Sequence, residues 1–184
     1  MTDLFRTANL LGAASLAVTD SILDNVTSAA GVSASGAAAL VTLSADPRVS
    51  VTELGRRIGL SQSAAARMVD SLESDGLVER RPNPFNPQWA TIHLTRAGRR
   101  ARQKLLAARS DPVADAVAAL GEDDQQMLAE LLATLLTRLY ERVGQAQYIC
   151  RLCDRAACTA GATCPVAEAE GQQPSPAEQD EENK

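Results

Sequence analysis

One short stretch, residues 61–76, narrows the possible folds more than anything else in this chain. Ala65, Met68, Val69 and Leu72 recur at i, i+3, i+4 and i+7, a single apolar stripe on a helix. Ser61 stands where an N-cap oxygen is needed, and Gly76 where a helix end calls for a left-handed residue. Just upstream, Ser50 and Glu53 have capping-box spacing, and the short helix they open ends at Gly59. Two short capped helices in tandem must bury their stripes against a compact helical core, leaving the second helix one polar side to present outward.

The rest of the chain supplies that core. Aromatic residues make up only 3% of the 184 positions, so the interior is built from Ala, Leu and Val, which favours close-packed helices over a β-sandwich. Residues 3 to about 29 place Leu4, Ala8, Leu11, Leu16, Ile22 and Val26 at roughly the helical period, and Gly31 breaks it. A second helix is expected over about 34–45, stopping near Asp46-Pro47. After Gly76 come two short strands, Leu77–Arg81 and Ala90–Thr95, joined by a stiff loop containing Pro82, Pro84 and Pro87. Thr95 is placed to cap a long helix, which is expected to kink or restart at Asp111-Pro112. Gly121 and the acids after it open a last long helix carrying Leu128, Leu131, Leu132, Leu135, Leu136 and Leu139, an apolar face wide enough to need a partner.

Charge is distributed unevenly. The formal net charge is −5, yet residues 48–104 hold eleven Lys/Arg against five Asp/Glu, while residues 165–184 hold six acids and one Lys. A basic middle with an acidic end is the asymmetry of a nucleic-acid binder with a solvated tail. No run of about 18 apolar residues occurs, so no membrane partner is expected. The N-terminus lacks a basic n-region followed by an uninterrupted apolar stretch, so a cytoplasmic location is expected.

Helix, short helix, helix and hairpin together make the winged helix-turn-helix plan. In it the second short helix enters the DNA major groove, where each base pair shows a distinct pattern of donors and acceptors. With 65, 68, 69 and 72 facing the protein, Ser61, Gln62, Ser63, Ala66 and Arg67 lie toward the groove. Gln pairs bidentately with adenine, Arg with guanine or phosphate, and Ser with either class. Arg80, Arg81, Arg96, Arg99 and Arg100 border the phosphates.

Residues 52–101 resemble the MarR family of bacterial winged-helix regulators. The block LSQSAAARMVDSLESDGLVER and the later LTRAG carry the likeness, which extends more loosely over about residues 5–147. The resemblance implies a mainly α fold with N- and C-terminal dimerisation helices and a small two-stranded wing. It also implies a homodimer in which the first and last helices of two chains intertwine. Such a dimer binds double-stranded DNA at a pseudo-palindromic operator, usually as a repressor, often relieved by a small-molecule or oxidant effector. The family's wing carries Asp-x-Arg. Here Asn86-Pro87-Gln88-Trp89 stands in its place, so Gln88 is the candidate for a narrow A·T-rich minor groove, without a charge. Trp89 either packs under the wing or touches DNA.

Four cysteines cluster within fifteen residues as Cys150-x2-Cys153-x4-Cys158-x5-Cys164, and the 169 positions outside that segment have none. Zinc takes four thiolates tetrahedrally, and iron–sulfur clusters also use four thiolates at short spacings, often ending in Cys-Pro as at Cys164-Pro165. The spacing is compatible with either, and also with free thiols or a thiol switch. Arg151 and Arg155 are placed to lower thiol pKa values.

The expected layout is an N-terminal dimerisation helix (1–32), a winged helix-turn-helix (33–100), C-terminal dimerisation helices (101–147), a cysteine segment (148–166) and a disordered acidic tail (167–184). An enzyme is not expected. No catalytic triad, P-loop or dinucleotide fingerprint is present, and the sole histidine, His93, sits in a wing strand. The competing readings are a thiol or iron–sulfur redox protein and a protein-only dimerisation module.

Overall fold

A computed structural model of the chain describes residues 3–83 and 86–172, the side chains at 86–88 excepted. Helix α1 (Leu4–Ala30) starts at Asp3, whose carboxylate accepts from the Phe5 N–H at 3.0 Å, and ends at Gly31 with φ +64°. Helix α2 (Ala34–Ala45) starts at Ser33, whose hydroxyl accepts from Gly36 N–H at 3.1 Å. It is apolar on nearly every side and lies at the centre of the molecule, with Ala37, Ala39, Leu40 and Leu43 buried. Helices α3 (Val51–Ile58) and α4 (Gln62–Ser74) follow, then strands β1 (Val78–Asn83) and β2 (Asn86–Leu94), paired antiparallel. The long helices α5 (Arg96–Ala118) and α6 (Glu122–Val143) precede the short helices α7 (Ala146–Ile149), α8 (Arg155–Cys158) and α9 (Pro165–Gly171).

One apolar core joins α2, α3, α4, the wing root and the first half of α5, with Leu40, Leu54, Val69, Val78, Ile92 and Leu105 buried in it. The chain between α2 and α3 adds a third extended segment at the wing root, where Ile92 N–H donates to Val49 O at 2.9 Å. The most extensive helix–helix packing is α1 along α5. No single helix among the described residues is long and apolar enough to cross a membrane. The bent pair α1 and α2 meets that composition together, at 78°, but α2 is the buried core helix.

Three expectations are corrected. The wing strands run further than expected, through Pro82 and Pro87, with an irregularity at Pro82/Asn83. A two-stranded ribbon leaves each strand one unpaired edge, where a residue without an N–H is tolerated. Of the two outcomes expected at Asp111-Pro112, a kink or a restart, the restart does not occur: helix α5 runs through Pro112 as one helix. The proline forfeits one helical hydrogen bond, and the long contact with α1 outweighs that local preference. Finally, residues 167–171 are not tail. They belong to α9, whose Val166 and Ala169 are buried beside Tyr140 and Ala146 in a second small core. The expected tail beyond 172 lies outside the described residues.

Candidate nucleic-acid interface and the cysteine segment

The short helices fold as their caps dictate. Ser50 Oγ accepts from Glu53 N–H at 3.1 Å, and Ser61 Oγ accepts from Ala64 N–H at 3.3 Å. Gly59 takes φ +76° in the turn between α3 and α4. The two helices cross closely because Gly55 has no side chain. Ala65, Met68, Val69 and Leu72 are buried, as their spacing requires. Ser61, Gln62, Ser63 and Arg67 are exposed and Ala66 is half-buried. Arg67 makes no ion pair with any described residue. The N-terminal end of α4 therefore presents one amide, two hydroxyls and one unpaired guanidinium to solvent, a set matched to base edges and phosphates.

The arginines of the wing root are engaged differently. Arg80, expected to border the phosphates, is held by two carboxylates. Its guanidinium bonds Asp70 at 2.5 Å and Glu73 at closer range, and its N–H donates to Glu73 at 3.1 Å, so it ties β1 to the back of α4. Those carboxylates raise its pKa, Asp70 foremost. Arg81 pairs with Glu79 on its own strand. Arg99 reaches the Leu94 carbonyl at 2.8 Å, while Arg96 and Arg100 are exposed. Trp89, left open between packing and exposure, is 64% exposed on the wing. The Gln88 side chain lies outside the described residues. His93 Nε2 and Thr91 Oγ1 are 2.9 Å apart, and burial lowers the histidine's pKa, with Arg81 adding to the effect.

The LTRAG motif is architectural. Thr95 Oγ1 donates to Gly76 O at 2.7 Å and accepts from Gly98 N–H at 3.1 Å, so one hydroxyl ends the turn after α4 and starts α5. A side chain on Gly98 would overlap the Leu77 carbonyl oxygen.

The cysteine segment is folded and docked, and sequence reasoning missed where. Tyr148 of α7 lies over Gly59, so that a β-carbon there would sit 2.5 Å from the ring. Arg151 stacks on that ring at 4.2 Å and donates to Tyr148 O at 2.7 Å, so it serves the tyrosine rather than the thiols. Leu152 packs against the main core. The one legible signal was Gly59 itself. It reads as a helix stop, and its second role, admitting a ring from 89 residues downstream, leaves no local trace.

All four cysteines are free, and all four line one cavity of about 290 Å³ between α1, α5, α6 and the segment. The thiols interact in series, Cys150 with Cys153, Cys153 with Cys158, and Cys158 with Cys164. Within the series Cys153 holds the Cys150 thiol below its ordinary pKa, and the same contact with burial pushes Cys153 up. Burial pushes Cys158 up to about 11. Arg109 lines the same cavity, with a buried Nε that has no hydrogen-bond partner. Among the described residues, no group of three or more His, Cys, Asp or Glu is arranged to hold a metal ion.

Capped α3 and α4, the close crossing at Gly55 and the paired hairpin define a winged helix-turn-helix protein. Residues 32–86 match the MarR family. Among curated proteins it is 26% identical over 94 residues to the HTH-type transcriptional repressor YetL of Bacillus subtilis, covering 51% of this chain and 56% of YetL. The chain thus spans little more than half the length of that relative. Among solved structures it resembles YusO from Bacillus subtilis, with TM-score 0.63 and 25% identity over 72% of this chain and 94% of YusO. It also shares its fold with E. coli MarR, with TM-score 0.58 and 23% identity over 74% of this chain and 98% of MarR.

Proposed function

We propose that this chain is a sequence-specific regulator of transcription that binds double-stranded DNA as a homodimer. The observation that carries the reading is the polar end of α4. Ser61, Gln62, Ser63 and Arg67 are exposed together on a helix whose other side is anchored in the core. A helix held in that way can enter a major groove without rearranging. Arg96 and Arg100, exposed at the start of α5, supply phosphate contacts, which fix register and add affinity without reading bases.

The dimer is supported by unpartnered apolar surface. Leu4, Phe5, Leu10, Leu11 and Leu16 of α1 are exposed, as are Met127, Leu131, Leu135 and Leu139 of α6. So much exposed leucine on two long helices marks an interaction surface rather than a solvated one. A two-fold dimer presents two copies of α4 and so suits a pseudo-palindromic site with half-sites one helical turn apart. A repressor role follows from the likeness to YetL.

The test is selection of operator sequences from random duplexes by the full chain, then anisotropy titrations on the selected duplex at several salt concentrations. The expected result is a linear fall of log affinity with log salt, with a slope of several charges, and a selected motif of dyad symmetry. Failure to enrich any sequence, with no salt-dependent binding, overturns the reading.

A further inference from the structure

We infer that Cys150, Cys153, Cys158 and Cys164 hold an iron–sulfur cluster, and that this cluster is the sensor of the regulator. The sensing half of this inference rests on the DNA-binding reading above; the site does not.

Three observations point to a cluster rather than to a single ion. First, the four thiols, separated by up to 14 positions along the chain, all line one cavity. Second, that cavity measures about 290 Å³, close to ten times the roughly 30 Å³ share of one water molecule. A mononuclear zinc site is closed, with four sulfurs drawn to about 2.3 Å from the ion, and leaves no such space. A cluster spreads its metal corners and takes one or two sulfurs at each, which suits thiols distributed around a cavity. Third, the surroundings are those of a buried anion. Ile22, Leu23 and Val166 wall the cavity with hydrocarbon, while Arg109 brings a buried Nε with no hydrogen-bond partner. A four-thiolate cluster carries net negative charge, and a guanidinium N–H is the donor its sulfurs accept from.

Loading balances simply. Each of the four Cys S–H groups gives its proton to solvent, one S–Fe bond forms per sulfur, and the incoming cluster's labile outer ligands leave. No net oxidation or reduction is required.

The segment that would carry the cluster also touches the DNA-reading unit. Cys150 immediately follows α7, whose Tyr148 covers Gly59 in the turn between α3 and α4. Cys150 also lines a small pocket with Asp46 and Arg57, at the end of α2 and on α3. Cluster loss frees the loops 150–164 and with them the seat of that turn.

The experiment isolates the full chain without oxygen and loads it by ligand exchange with a preformed, thiolate-ligated iron–sulfur cluster. Iron, acid-labile sulfide and zinc are then counted per chain, and visible absorption is recorded. DNA affinity is compared between the loaded chain and the chain stripped by chelator. We expect iron and sulfide in equal number, a broad visible band, and a change in affinity of about tenfold or more on stripping. Cys158→Ala, at an exposed position on a short helix, is expected to lose the band while keeping the helical content and dimer of the parent. Zinc without sulfide, no retained metal, or an unchanged band in the Cys158→Ala variant overturns the site. A retained cluster with unchanged DNA affinity overturns its role as sensor. A retained cluster with no DNA binding in either form overturns the regulator reading and leaves the site standing.

Discussion

A β-carbon added to Gly55 would lie 2.7 Å from the β-carbon of Ala65, so α3 and α4 touch backbone to side chain with no room for a methyl group. Neither atom belongs to a flexible side chain, so the helices themselves must separate. Gly55→Ala is expected to cost about 1–3 kcal/mol, measured by chemical denaturation. The double variant with Ala65→Gly should lose less than the sum of the two single variants, because the second change removes the clash. Strict additivity would show that the two helices do not meet there.

Arg67 should dominate affinity from the reading helix. Arg67→Ala is expected to weaken binding to the selected duplex by about 1–3 kcal/mol. If Arg67 reads a base, preference at one base pair relaxes; if it contacts phosphate, the salt slope falls by about one. Anisotropy titrations across salt and across single-base variants of the duplex separate these outcomes, and an unchanged affinity removes Arg67 from the interface.

Glu53 makes the acid limb of stability predictable. Its carboxylate accepts from Arg56 Nε at 2.8 Å and from Arg57 Nε at 2.6 Å. These bonds, the one to Arg56 first, hold its pKa at about 2, against an ordinary 4.5. The folded state therefore binds this proton more weakly than the unfolded chain does. The stabilisation is fully present above about pH 4.5 and is lost as pH falls toward about 2. Glu53→Gln should be less stable than the parent at neutral pH, and the gap should close across that window in denaturation curves taken at stepped pH. A gap that stays constant with pH would mean that the ion pairs contribute nothing.

Leu135 is exposed on the outer face of α6, between Leu131 and Leu139. If that face joins two copies, Leu135→Glu places a carboxylate in an apolar interface and should raise the dimer dissociation constant by at least about tenfold, read by sedimentation. An unaltered constant would locate the interface elsewhere.

Local signals carried most of the architecture. Ser50, Ser61 and Thr95 each cap a helix, and the 65/68/69/72 stripe faces inward, because a cap and a stripe depend only on residues within two turns. The misreadings share the opposite property. Pro112 and Pro87 disfavour helix and strand locally, and distant packing and a free edge permit them. Arg80 looks like a phosphate contact until the hairpin brings it to Asp70 and Glu73. Likewise the cysteine spacing is legible, whereas Arg109, from the middle of α5, joins those thiols only through the fold.

The hydroxyl of Thr95 gives that fold a mechanical property. It joins the exit of α4 to the start of α5, and Gly98 presses the joint shut against Leu77. A helix of 23 residues is about 35 Å long, so a tilt of about 5° moves one end relative to the other by about 3 Å. With no slack at the joint, a tilt of α5 is delivered to α4 as displacement.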